Sequence, residues 1–307
     1  MSQPTRSESL VQRLRNHFLF ENLRDGLRLF LSDRLTAVFL GVLVVLVFLA
    51  AVGPALAPYE YDAVQRSEDG EMMRLAQPSA DHLLGTTNRG HDVLSRLLYG
   101  AQPTLLTGFL GGTIIVSIGL IIGVTAGYFG GRVDSLLMRI TDFAYGVPLI
   151  PTAIVVVAYF GIGFWSSILI IGFLLWRGNA RVFRSQVLQI KEREHVKAAQ
   201  MLGASNLYVM VRHILPNMGG MIVLFLALGT GLTILISASL AFLGFMNPFI
   251  PSWGIMLRNA YQSGYVSSAW WWTLPAGGAI SLAVLTVFML GRGDERITQT
   301  NVDQAQA

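Results

Sequence analysis

The residues able to do chemistry are few, and none is spaced for catalysis. His17, His82, His91, His195 and His213 are scattered through loops and termini, with no pair at the spacing that brings two imidazoles onto one metal. No glycine-rich run ends in Lys-Ser or Lys-Thr to cradle a phosphate, and no Gly-x-Ser-x-Gly elbow presents a nucleophile. The chain has 0 cysteines, which removes disulfides, thiolate metal sites and cysteine nucleophiles. The expectation is a chain with no catalytic residue, no metal and no cofactor of its own. Asp142 is the one candidate for an ionisable residue inside the expected hydrocarbon region, within a turn of the start expected for the third helix. It is read as a carboxylate favoured by a nearby helix N-terminus, the competing role being an in-membrane coupling group.

The segment 189–216 is different in kind. It reads Gln189-Ile190-Lys191-Glu192-Arg193-Glu194-His195-Val196-Lys197-Ala198-Ala199-Gln200-Met201-Leu202-Gly203-Ala204-Ser205 before running on to Pro216, a charged stretch of helical composition between two apolar runs. The spacing predicts a short exposed helix. Ala198, Ala199 and Leu202 give it a small, apolar side able to enter a partner's groove, and Gly203 ends it where the chain must reverse or another backbone comes close. The chemistry on offer is docking.

The elements that hold this loop are membrane spans. The 307 residues are 53% hydrophobic and 13% charged, with mean hydropathy +0.54, whereas a soluble domain carries about 25% charged residues. Runs without Asp, Glu, Lys or Arg cover 35–59, 97–131, 143–176, 214–257 and 259–291. Each is longer than the roughly 20 residues that cross about 30 Å of hydrocarbon as a helix. The fold class is therefore all-α, a polytopic membrane protein with six transmembrane helices. They are placed at 35–57, 103–128 (opened by Pro103 and closed by Gly130-Gly131), 139–160, 164–182 after a turn at Gly161-Ile162-Gly163, 214–243 and 272–291. Residues 1–34 form an amino-terminal segment with Leu19, Leu23, Leu27, Phe30 and Leu31 at helical spacing opposite Arg24 and Arg28, as in a helix lying on a membrane surface. Residues 58–102 form an extracytoplasmic segment. A five-helix core occupies 103–291 with a loop at 185–212, and 292–307 is a tail.

A pI near 9.6 could attract nucleic acid, but Lys191 and Lys197 are the only lysines and the arginines cluster between spans. The partner read from the charge is the lipid bilayer, with no nucleic acid. Only Arg66, Arg74, Arg89, Arg96 and Arg258 fall on one side of the proposed topology, and the other 17 of the 22 basic residues fall on the opposite side. Positive charge is retained in the cytoplasm, so both termini and the loop at 185–212 are expected inside. Gly119, Gly123 and Gly127, with Gly108 and Gly112 before them, form a small-xxx-small face for close helix packing, a hinge being the alternative. Trp165, Trp176, Trp253 and Trp270 to Trp272 fall at span ends and are read as interfacial anchors.

Lys197-Ala198-Ala199-x-x-x-Gly203, followed by Arg212-His213-Ile214-Leu215-Pro216-Asn217, resembles the EAA signature loop of permease subunits in binding-protein-dependent ABC importers. The wider chain is similar to the C-type subunit of the dipeptide/oligopeptide branch. Leu84-Gly85-Thr86-Thr87-Asn88-Arg89-Gly90-His91-Asp92-Val93-Leu94-Ser95-Arg96, Ala126-Gly127-Tyr128-Phe129-Gly130-Gly131, and Ser239-Leu240-Ala241-Phe242-Leu243-Gly244 leading to Pro251-Ser252-Trp253-Gly254 support it. The resemblance spans most of residues 30–290. It implies the type I ABC importer permease fold and a cell-membrane location in a prokaryote. The partners implied are a second homologous permease, two cytoplasmic ATPase subunits holding ATP and Mg, and an extracytoplasmic solute-binding protein. It also implies that Glu194, Lys197, Ala198, Ala199, Leu202, Gly203, Ala204 and Pro216 couple the chain to the ATPase. Ala198 and Ala199 would pack in the ATPase cleft, Gly203 would permit the turn, and Pro216 would mark the start of the fifth helix. Lys197 stands where the family usually has Glu, and the tail after Gly291 departs from the family's usual ending. Di- or oligopeptides are the implied cargo, with a nickel chelate or a sugar as the alternative within the family. A stand-alone secondary transporter, or a membrane-embedded enzyme, are the alternatives outside it.

Overall fold

The computed structural model describes residues 33–160 and 163–306, with side chains to residue 292 except 157, 158 and 160. The surface helix expected before residue 32, and the Gly161-Ile162 part of the expected turn, lie outside the described residues.

Helix α1 runs Arg34–Leu56, capped by Asp33, whose carboxylate accepts from the Thr36 amide at 3.2 Å and hydroxyl at 2.6 Å. Helix α2, Val93–Phe129, is the central element. It begins ten residues before Pro103, the residue expected to open it. Asp92 caps it by accepting from the Ser95 amide at 2.7 Å, and Arg96 is accommodated beyond the apolar stretch by Asp62 at 3.2 Å and the Tyr61 ring at 4.4 Å. A charge that excludes a segment from lipid does not end a helix that continues out of it.

The span expected at 139–160 is two helices, α3 (Gly131–Tyr145) and α4 (Leu149–Phe160), whose axes meet at 84°. Pro148 lacks an amide hydrogen and disfavours helix at the residue before it. The Arg177 guanidinium satisfies carbonyls freed at the break, donating to Ala144 O at 2.5 Å and Val147 O at 3.1 Å. Helix α5, Phe164–Lys191, passes well beyond the expected end near 182, because its polar end is partnered. Arg184 pairs with both oxygens of Asp134 at 2.5 and 2.6 Å, and Lys191 Nζ donates to Tyr128 O at 2.7 Å. The loop expected from 185 thus begins after Lys191. Asp142 lies in the last turn of α3, not near a helix start, and meets Arg181 at 2.5 Å.

Two short helices follow, α6 (Glu194–Met201) and α7 (Asn206–Val209), then a π turn at Met210–Ile214 and a 3-10 turn at Leu215–Met218. Helix α8, Gly219–Leu243, therefore starts after residue 214, although the whole run Asn206–Leu243 counts as one apolar span. Helix α9, Trp253–Gln262, is a capped helix where only a break was expected, and α10 runs Trp270–Gln306 through the boundary placed at 292. Among the described residues four helical runs are long and apolar enough to cross a membrane, or five if α3 and α4 form one bent span.

Glycine sets the packing of α2 on both sides. A Cβ at Gly123 would lie 2.6 Å from Ala180 O and 2.8 Å from Phe183 Cβ of α5, and one at Gly127 would lie 2.8 Å from Val187 Cβ. Gly112 lies against α8 in the same way, 2.6 Å from Thr230 N. These glycines admit neighbouring backbones, the packing role expected of a small-residue face. The tryptophans divide. Trp165 and Trp270 are exposed, as anchors require, but Trp176, Trp253, Trp271 and Trp272 are buried. Trp253 Nε1 donates to Leu97 O at 2.9 Å, fastening α9 to the start of α2, and Trp271 Nε1 donates to Thr86 O at 3.3 Å, fastening the segment around 57–92 to α10.

Candidate functional site

The loop between α5 and α8 has one face built into the helical core and one facing outward. Val196 of α6 is fully buried, in a cluster with Phe183, Val187 and Ile190 of α5, Tyr128 of α2, and Val209, Ile214 and Met218. Behind it, Tyr128 donates its hydroxyl to Asn206 Oδ1 at 3.0 Å and accepts from Gln200 Nε2 at 3.4 Å. The end of a spanning helix is thereby tied to both short helices of the loop.

Helix α6 ends in a Schellman motif. The Ala204 amide donates to Ala199 O at 3.1 Å and the Gly203 amide to Gln200 O at 3.0 Å, with Gly203 at φ +80°, the left-handed conformation that glycine adopts without a Cβ penalty. Open space surrounds Gly203, so chain reversal, and not close backbone contact, is what this position requires within the chain. Ser205 then caps α7 through the Tyr208 amide.

The outward face carries Ala198 together with Met201, Leu202, Leu207, Tyr208 and Val211, all exposed; Leu202 is 88% and Met201 83% accessible. Ala199 is only half exposed and Ala204 packs against the buried cluster. The small apolar side expected at Ala198, Ala199 and Leu202 is therefore rotated toward Met201. Glu194 is exposed in the first turn of α6. Lys197 turns back onto Glu192 at 2.7 Å, and the hydrogen bond from Lys197 holds the Glu192 carboxyl below the usual carboxylate range. Both groups are exposed, and such a pair contributes little to stability. Pro216 is exposed in the 3-10 turn, just before α8. His195 and His213, distant in sequence, bring their ring centroids to 6.2 Å.

Sequence reasoning did not single out Leu207, Tyr208 and Val211, nor the anchors Tyr128, Gln200 and Asn206. Apolar residues persisting in a charged loop were a signal for the first three. Nothing local marks Tyr128 as the partner of residues more than 70 positions away. An apolar patch facing outward, backed by a rigid core, is chemically a docking surface.

Residues 119–292 match the family of binding-protein-dependent transport system inner membrane components, and residues 22–78 match the N-terminal TM domain of oligopeptide transport permease C. The chain is 34% identical over 272 residues to the dipeptide transport system permease protein DppC of Bacillus subtilis, covering 88% of this chain and 83% of that one. It is 33% identical over 271 residues to the protein of the same name from Alkalihalophilus pseudofirmus, covering 88% and 87%. A putative peptide transport system permease protein of Brucella suis is 36% identical over 255 residues, covering 82% and 83%.

Proposed function

The chain belongs to the binding-protein-dependent transport system inner membrane component family, and from that premise we propose that it is the permease subunit of an ATP-driven importer of di- or oligopeptides and forms half of the translocation path. The peptide cargo rests on the names of its relatives.

The observation that carries the coupling role is the outward apolar face at Ala198, Met201, Leu202, Leu207 and Tyr208, mounted on a loop whose other side is locked to α2 and α5. A rigid lever with a docking face suits transmission of motion from a cytoplasmic ATPase. Two such ATPase subunits hold the ATP and Mg, and a second homologous permease and an extracytoplasmic solute-binding protein complete the assembly. In this reading α3 with α4 makes one crossing and α5 another, giving six, in a cytoplasmic membrane, with both termini and the loop inside and residues 57–92 outside. Glu194, Lys197, Ala198, Leu202 and Gly203 make or shape the ATPase contact, Ala199 and Ala204 support it from behind, and Pro216 leads the loop into α8.

Purification of the tagged chain from its native membrane in mild detergent tests this. Recovery with an ATPase and a second permease, and ATP-dependent dipeptide uptake by the reconstituted complex, are the expected results. A chain that stays alone in several detergents and supports uptake without ATP would refute it and favour a secondary transporter.

A further inference from the structure

At the end of the molecule opposite the docking loop, a cavity of about 140 Å³ opens between residues 87–96 and the helices α9 and α10. We propose that this cavity is an anion site that takes a carboxylate group.

Its chemistry is one-sided. Arg89 and Arg96 line it, and no acidic side chain does. Trp272 on its wall is 1% exposed, yet its Nε1 has no hydrogen-bond partner; an indole N–H only donates, so it calls for an acceptor. The buried Nδ1 of His91, also on the wall, lacks a partner too. Asn88 Nδ2 donates to Ser263 Oγ at 2.9 Å, which leaves the serine hydroxyl hydrogen free to donate inward. Burying a polar atom without a partner is unfavourable, and two such atoms stand here beside two guanidinium groups. A planar, two-oxygen anion can accept from several such donors at once and pairs with a guanidinium in two-point geometry, which a spherical halide cannot.

The surroundings of His91 agree. Burial first, then the positive field of Arg96, lower its pKa from 6.5 to about 4, with Asp62 opposing and Arg89 adding to the effect. Asp62, the one carboxylate acting on His91, is paired with Arg96 at 3.2 Å. An anion in the cavity opposes that field.

Placement of the cavity outside the membrane rests on the importer reading; the binding chemistry does not. The test is therefore binding, not uptake. The full chain, labelled with 15N-histidine and held in lipid nanodiscs, is titrated with sodium acetate at constant ionic strength against sodium chloride, and the His91 signal is assigned by its loss in His91→Gln. A saturable shift of that signal with acetate, its pKa moving up toward 6.5, is expected with acetate and not with chloride or acetamide. Arg89→Gln, at an exposed position, should weaken the response at least tenfold, and Trp272→Phe should do so while keeping an aromatic ring in place. No response, a linear one, or one that both variants leave unchanged would overturn the site. A second arm compares Ala-Ala with Ala-Ala amide: a response to the free dipeptide alone, at lower concentration than acetate, identifies a peptide carboxylate as the source. Saturation by acetate with Ala-Ala silent upholds the anion site and removes the peptide. ATP-driven uptake, measured separately, decides the importer reading without bearing on either result.

Discussion

The Tyr128 hydroxyl donates to Asn206 Oδ1 at 3.0 Å across 78 residues of sequence. Tyr128 is in the last turn of the central helix and Asn206 opens α7, so this hydrogen bond joins the glycine-packed centre of the bundle to the loop that carries the proposed docking face. Tyr128→Phe removes this bond and that from Gln200 while keeping the ring. A net loss of about 1 kcal/mol is expected, read as a small fall in thermal midpoint in nanodiscs. Uptake per ATP hydrolysed should fall further than stability does, because the lever is loosened where it meets the spans. Unchanged coupling with a lowered midpoint would assign the bond to folding alone.

Gly203 sits at φ +80° in open space, so its substitutions separate conformation from crowding. Asn tolerates the left-handed region and a β-branched residue does not. Gly203→Asn should transport nearly normally, whereas Gly203→Val should lose about 1–2 kcal/mol of local stability and most uptake. Dipeptide uptake normalised to membrane-inserted protein distinguishes them; equal uptake by the two variants would dissociate this conformation from function.

Leu202 is 88% exposed, and surface substitutions usually change stability by within about 0.5 kcal/mol. Leu202→Asp should leave insertion and thermal midpoint unchanged while abolishing co-purification of the ATPase. Undiminished recovery of the ATPase from this variant would move the docking face elsewhere.

Gly123 admits α5 to α2, with Ala180 O 2.6 Å from where a Cβ would stand. Gly123→Ala should cost about 1–3 kcal/mol, and Gly123→Leu should prevent the helices from closing. Resistance to limited proteolysis in native membranes is the readout, and full resistance of the leucine variant would contradict the packing.

His91 carries a pH dependence. Its pKa in the fold is about 4 against 6.5 in the free side chain, so between those values the unfolded chain binds more protons and stability rises with pH. Its contribution is fully present above 6.5, declines as the pH falls toward 4, and levels off below. Thermal midpoints from pH 7 to 4 should therefore drop more steeply for the natural chain than for His91→Gln. Parallel curves would place the dependence on other groups.

The apolar runs by themselves decided that this is a helical membrane protein, because backbone amides in hydrocarbon must be satisfied within each segment. Gly203 ended its helix and the small-residue face of α2 packed, since both are local consequences of lacking a Cβ. Helix ends were decided elsewhere. Helix α2 begins before the expected Pro103 and α5 continues past the expected 182; Arg96, Arg184 and Lys191 in these extensions each find a partner on a different element, Asp62, Asp134 or Tyr128 O, and a helix persists wherever its charges are satisfied. Likewise Trp253 and Trp271, expected at lipid interfaces, were claimed by carbonyls far away in sequence. The sequence by itself determined the docking loop's composition; which of its residues face outward was set by Val196 entering the core and by Tyr128, long-range contacts that exist only once the helices have packed.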